Sequence, residues 1–481
     1  MKKIISIYAF AAAAVMTFSS CSDFLTKAPI LQQSTELTLS TYEGLKSATF
    51  GAYAYISSTG WYGNSWIIDA EMRSGNGKRS TEYDTGRAYM PYVWSYTVDN
   101  TSEMWAYCYF TVAYANNVID NLPGKDVDGV SEQDLNNLKA ECLFLRAFAH
   151  FCNVLTYGQP YTYCVKNAPE SLGVPYVYHT DPEGKPARET VVSNYENIVK
   201  DLLEAESIID PKYVHAGTAD PAATINISTI QALLSRVYLY MGEWQKSADY
   251  ATKVITSGKY KLWNKEQYKT VWGAEAGSGE VIFEVYGKIA NDSNGYWDDI
   301  SYLVNPSSSG DPIVAKPLLD LYEEGDVRLE LYIKDKKKDN DFLWTGKYPG
   351  KGDNPEPDCN NVIIFRLSEM YLNRAEAIMR GAKVDGATAI SDLNAIADIR
   401  GASHYTSVGQ LDIHRERRKE LAWEGHYIYD LARWGEGVKR SAADYPICPQ
   451  NLEVPFPSKK WALPIPKREC DLNPNLKQNE L

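Results

Sequence analysis

The sequence predicts a mainly α-helical protein in which tetratricopeptide-like helix pairs form a superhelical scaffold, with long loops and a few short strands. Three observations carry that prediction. Apolar residues recur at helical spacing over most of the chain, as at Leu45, Ala48, Ala52 and Ile56. The phrase Tyr238, Tyr240, Gly242, Trp244, Ala248, Tyr250 and Ala251 places a turn glycine and small or aromatic residues as a tight two-helix repeat requires. Hydrophobic residues make up 44% of the 481 positions and charged residues 23%, enough to build a large core without disulfide staples.

In chain order, Lys2 and Lys3 precede an apolar run from Ile4 to Phe18, broken only by Ser6 and Thr17 and followed by Ser19, Ser20 and Cys21. This is a positive n-region, a short h-region and small residues before a cleavage point. The run is too short for a bilayer span. An ordinary secretion leader cut near Ser20 shares these features. A cysteine directly after two serines points to a lipoprotein leader, with Cys21 the lipidated first residue held by acyl chains.

The spacing then predicts helices over Thr41 to Ser57, Glu103 to Leu122, Ser131 to Leu155 and Asn194 to Ile209. Further helices are expected over Ser228 to Met241, Trp244 to Ser257, Leu367 to Arg380, Gly386 to Arg400 and Ile413 to Trp434. Ser131 and Asp134 approximate a capping box, and Pro123-Gly124 ends the second helix. Val281 to Val285 reads as a short strand. Four stretches read as irregular, namely Gly60 to Thr101, Tyr157 to Val191, Asn264 to Lys316 and Ile333 to Asn361, and loops of that length are usually functional. The expected organisation is a leader over 1–20, an N-terminal region over 21–215 and a C-terminal region over 216–481, interleaved into one compact unit.

Charge and motif content exclude several functions. A net charge of −13 argues against nucleic acid as the partner. There is no His-Glu-x-x-His, Gly-x-Ser-x-Gly, P-loop or Rossmann fingerprint. The seven cysteines after Cys21 include no Cys-x-x-Cys and read mostly as small buried hydrophobes. Asp292, Asn294 and Gly295 begin like a calcium loop but lack its third ligand and terminal glutamate. The carboxylate pairs Asp298-Asp299, Glu323-Glu324 and Glu420 with Glu424 are of a kind that any chain with 62 acidic residues contains. No enzyme activity, metal or cofactor is expected.

The unusual feature is aromatic. The chain has 35 Tyr and 12 Trp against 12 Phe, and 15 of the 62 positions from Tyr53 to Tyr114 are aromatic. Two polar loops carry such rings, one from Trp61 to Tyr96 and one from Asn291 to Asp298. Planar rings cover the apolar face of a pyranose while Asp, Asn and Arg bond its hydroxyls. The expected ligand-binding residues are therefore Trp61, Trp66, Arg73, Asn76, Tyr89 and Trp94, with Asn294, Tyr296 and Trp297, the last as a stacking platform.

Several separated segments, in order, resemble one family. They are Cys21 to Leu25 with Pro29; Phe144 to Phe148 with Tyr157, Gly158 and Pro160; and Tyr238 to Tyr260. They continue with Phe365 to Leu372 and Ala375 to Ala377, Glu416 to Gly425 with Asp430 and Arg433, and Pro464 to Pro466 with Asn473-Pro474. Together they resemble the SusD/RagB-like outer-membrane lipoproteins of Bacteroidetes, though His426 and Tyr427 stand where that family usually has arginine. The resemblance implies a lipid-anchored protein on the outer membrane, facing the cell exterior. It would capture an oligosaccharide or polysaccharide and pass it to a SusC-like TonB-dependent transporter, making and breaking no bond. A RagB-like member capturing peptide, or a repeat scaffold binding only protein, are the alternatives. The charges in otherwise apolar signature helices, Arg146, Arg417, Arg418, Glu420, Glu424, Asp430 and Arg433, are expected to pair and fix helix register rather than to react.

Overall fold

The computed structural model of the chain describes residues 38–80, 82–83, 85–122, 129–215, 220–287, 298–335, 341–351, 359–440 and 453–480. Cys21, the calcium-like phrase at 292–295, Asn294, Tyr296 and Trp297 lie outside them. The first helices are α1 Tyr42–Ile56, α2 Ser65–Ser74, α3 Tyr89–Val93, α4 Met104–Asn121, α5 Glu132–Tyr157 and α6 Tyr161–Asn167. They are followed by α7 Val191–Ile208, α8 Ile227–Met241, α9 Trp244–Thr256, α10 Lys265–Thr270, α11 Ile300–Val304 and α12 Lys316–Leu319. The last are α13 Leu367–Met379, α14 Ala389–Arg400, α15 Gln410–Leu421, α16 Tyr427–Trp434 and α17 Lys467–Leu472.

Among the described residues eight short strands pair two by two, all antiparallel. They are β1 Gly77–Arg79 with β3 Pro312–Val314, and β2 Val281–Val285 with β6 Val362–Arg366. The other two pairs are β4 Tyr332–Ile333 with β5 Trp344–Thr345, and β7 Val438–Lys439 with β8 Glu453–Val454. The mainly helical architecture is the one the sequence predicts.

Local chemistry sets the helix limits. Thr41 accepts the Gly44 N–H at the start of α1. Ser131 and Asp134 form the full capping box of α5, satisfying two otherwise orphaned N–H groups. Gly242 ends α8 in the left-handed region at φ 76°, which a glycine enters without a Cβ clash, and α9 folds back onto α8. The main helices pack in a row: α1 on α4, α4 on α5, α5 on α7, α7 on α8, α8 on α9, α9 on α13, and α13 on both α14 and α15. One principal core gathers residues from Leu39 to Leu476, with the α5 run Leu143 to Phe148 wholly inside it.

The signature charges are buried and paired, as expected. Arg146 lies bidentate on Asp201, with Nε and Nη2 at 2.7 and 2.8 Å. Arg433 bridges Asp430 and Glu376, and Arg417 reaches Asp430 at 2.8 Å. Glu420 meets Arg366, Arg400 and Arg328, while Glu424 meets Arg366 and Lys347. Burial opposes the Glu420 charge, but Arg400, Arg366 and Arg328 outweigh it and hold this carboxyl well below its ordinary range. It is committed to structure. Arg418 departs from the expectation: its Nε donates to the Asn76 amide oxygen at 2.8 Å, and its guanidinium covers the Tyr427 ring.

Two local expectations are corrected. The stretch read as a loop after Gly60 contains α2, a ten-residue helix buried on almost every side and started at Asn64 without a side-chain cap bond. The helix expected over Ile413 to Trp434 is two helices, α15 and α16. Trp423 at φ 63° and Gly425 at φ 81° break it, and a Cβ on Gly425 would stand 2.5 Å from the Trp66 ring. The break leaves Glu424 facing Arg366 and Lys347.

Candidate functional site

Five of the nine expected ligand residues belong to the interior. Trp61 is 0% exposed and stacks on Phe148 at 5.6 Å. Trp66 is sandwiched against Tyr62 and Tyr429 at 5.3 and 4.7 Å. Trp94 sits edge-on to Trp461, its indole N–H donates to the Arg73 carbonyl, and the Arg73 guanidinium covers its ring at 4.5 Å. Asn76 is fully buried, donating to Glu71 at 2.8 Å and accepting from Arg418. Burial pushes the Glu71 carboxyl up to about 7, against the N–H groups of Asn76 and Gly425 that it accepts. None of these five presents a ring face or a free polar group to solvent. The physical reason is α2, which carries Trp66 and Arg73 into the core beside α16.

Tyr89 is different. It opens α3 and is 44% exposed. Its ring is held by the Arg79 guanidinium at 4.7 Å, and Arg79 ends β1, in register with Pro312 of β3. The chain between β1 and α3 is shaped by two buried side chains. Ser80 accepts the N–H groups of Glu82 and Tyr83, and Asp311 accepts from Thr85 N, Thr85 Oγ1 and Arg87 N at 2.5, 2.5 and 3.1 Å. These bonds present Arg87 outward, where its Nε donates to Asp298 at 2.7 Å. Tyr83 packs edge-on to Trp344 and donates to Asp335.

An open tyrosine ring braced by one guanidinium therefore stands near an exposed Arg–Asp pair, on a ledge fixed by buried turns. Asp298 is the covalent neighbour of Trp297. A ring plus charged donors and acceptors can cover the apolar face of a polyol ring and bond its hydroxyls. The sequence singled out Tyr89. It did not single out Arg79 and Arg87, because nothing local marks which arginine braces which ring.

A second exposed aromatic group lies on the outer faces of α1 and α4. Tyr55 meets Phe110 at 5.0 Å and Tyr114 at 5.4 Å, and Phe110 and Tyr114 are 47% and 39% exposed. Among the described residues no cluster of His, Cys, Asp and Glu is arranged to hold a metal, and no helix is long and apolar enough to cross a membrane.

Comparison with known proteins shows the family of the chain. Residues 23–239 match a family described as "Starch-binding associating with outer membrane", and residues 335–481 match the SusD family. The SusD-like protein P2 of Formosa agariphila is 25% identical over 97% of each chain. A SusD superfamily protein of Bacteroides thetaiotaomicron is 30% identical, with a TM-score of 0.79 over 92% of this chain and 100% of its own. A SusD superfamily protein of Bacteroides vulgatus is 26% identical, with a TM-score of 0.81 over 91% of this chain and 98% of its own. The surface glycan-binding protein A of Bacteroides thetaiotaomicron, solved with laminarihexaose, shares the fold at 20% identity, with a TM-score of 0.72 over 91% of this chain and 99% of its own.

Proposed function

Because this chain belongs to the SusD/RagB-like family, we propose that it is a cell-surface glycan-binding protein that captures oligosaccharide without cleaving it. In this reading Cys21 carries the lipid anchor in the outer membrane, and the captured glycan passes to a SusC-like TonB-dependent transporter. The observation that carries the reading is the Tyr89 ledge: an open ring braced by Arg79, two residues along the chain from the exposed Arg87–Asp298 pair. The family description, starch-binding in association with the outer membrane, supports the same ligand class. The N-terminal cysteine phrase and the apolar leader before it support the anchor.

Calorimetry of the detergent-purified chain against a panel of neutral oligosaccharides and peptides tests the ligand class. Loss of a stacked aromatic costs about 1–3 kcal/mol in nucleic-acid systems. By analogy Tyr89→Ala is expected to weaken the best oligosaccharide about 5- to 100-fold, with little change in Tm because the ring is outside the core. Binding of peptides alone, or full glycan affinity in Tyr89→Ala, would replace this reading.

Contact with a protein partner is a second reading, compatible with the first. It is favoured by the α1–α4 aromatic face, since contiguous exposed rings on a helix surface mark interaction sites. The transporter is the partner this reading assigns to it.

A further inference from the structure

Away from the Tyr89 ledge, an open cleft of about 530 Å³ lies between α6, the 168–172 turn, the 457–462 segment and the C-terminal residues 477–480. Arg188 forms part of its wall and Lys459 and Lys477 part of its lining, together with Tyr163, Gln159 and one acid, Glu480. The volume falls within the range of small-molecule sites and exceeds what a bare anion needs.

The charge balance of this cleft differs from that around most of the buried arginines. Arg146, Arg236, Arg374, Arg400 and Arg433 are buried, and each lies against a carboxylate. Arg188 is equally buried but bonds only neutral carbonyls: Gly173 from Nε at 2.6 Å, Lys477 from Nη1 at 2.8 Å, and Tyr157 and Leu172 from Nη2 at 3.2 and 2.8 Å. A guanidinium has five N–H donors, so one remains on Nη1. Burial without a compensating acid draws the Arg188 pKa down to about 10. Neither Lys459 nor Lys477 forms an ion pair with the described residues. Gln159 holds the rim by donating weakly to Ser458 O and Lys459 O, and its Oε1 is buried without a partner. Among the described lining residues three cations therefore stand against one acid, beside amide and phenol groups suited to hydroxyls.

We propose that this cleft is a second saccharide site, taking an oligosaccharide that carries an acidic sugar residue. Its carboxylate or sulfate would be received by Lys459, Lys477 and the remaining Arg188 N–H. The inference rests on the glycan-binding reading above and extends it to a charged ligand class.

The test is calorimetry of the detergent-purified full chain with a uronate oligosaccharide, a sulfated oligosaccharide, a neutral oligosaccharide of equal length, and inorganic sulfate. At least one acidic oligosaccharide is expected to bind about 10-fold or more tighter than the neutral one, with an affinity that falls as salt rises. Combined Lys459→Ala and Lys477→Ala should lose that preference without lowering Tm, whereas Tyr89→Ala should weaken the neutral sugar and leave the affinity for the acidic one in place. Arg188→Lys is a poorer probe because Arg188 ties four carbonyls together, so the exposed lysine pair carries the decision. Equal affinity for acidic and neutral sugars, full acidic preference in the lysine variant, or loss of acidic-sugar binding in Tyr89→Ala would overturn the proposal. Binding of inorganic sulfate alone would overturn it too, as a bare anion site. Tyr89-dependent binding of neutral sugar in any of those cases would leave the glycan reading standing.

Discussion

Glu284 shows how much one residue's surroundings decide. It sits in β2, almost fully buried, and accepts the Asn361 Nδ2–H at 2.6 Å. Burial first, and then the facing Asp220 carboxyl, push its pKa up to about 9. The folded protein therefore keeps Glu284 protonated where the unfolded chain ionises it. Its stabilising contribution is complete below its ordinary pKa of 4.5 and is lost as pH rises toward 9. Glu284→Gln stays neutral in both states. Thermal melts are expected to show a variant whose Tm exceeds wild type by a few degrees at pH 8 and by little at pH 4.5, and parallel curves would contradict this. The same dependence on surroundings separates Trp61 from Tyr89. Both are aromatics in a polar stretch of sequence, but one is stacked on Phe148 and the other stands open beside Arg79.

Between elements, buried ion pairs act as fixed joints. Arg146 on α5 meets Asp201 on α7, also donates to Asn116 of α4 and to the Tyr178 carbonyl, and so ties three helices to one strap of chain. Removing one partner leaves the other charged and buried, so Arg146→Ala is expected to cost about 3–5 kcal/mol in denaturant unfolding. Arg146→Met combined with Asp201→Leu should cost much less, because no orphan charge remains. A loss under about 1 kcal/mol in the single variant would show that the pair does not hold the helices. The element limits were legible because caps are local: Thr41, Ser131 and Gly242 act within a few residues of themselves. Helix α2 was not legible, since it spans only ten residues and starts without a side-chain cap bond, and the α15–α16 break depends on Trp66 packing against Gly425.

For the whole molecule, attachment and capture are separate properties. The anchor proposed at Cys21 rests on the apolar leader that stops there. Cys21→Ala is expected to abolish lipid labelling and to move the protein out of the outer-membrane fraction, while glycan affinity in solution is unchanged. Retained labelling and fractionation would refute the assignment. The comparison of this chain with its relatives spans nearly all of it, and its principal core draws on residues from Leu39 to Leu476.

The sequence by itself determined the helical class, most helix limits, the pairing of the signature charges other than Arg418, and the family, because periodicity, caps and motif order are written in neighbouring residues. Only the tertiary structure decided which aromatics are available to a ligand. A tryptophan among polar neighbours looks the same whether it is bound for solvent or for a core built from distant helices. Trp61, Trp66 and Trp94 went inside because Phe148, Tyr429 and Trp461 arrive from elsewhere in the chain to cover them. The charge imbalance around Arg188 was hidden for the same reason: it is assembled from residues nearly 300 positions apart, and no local pattern records it.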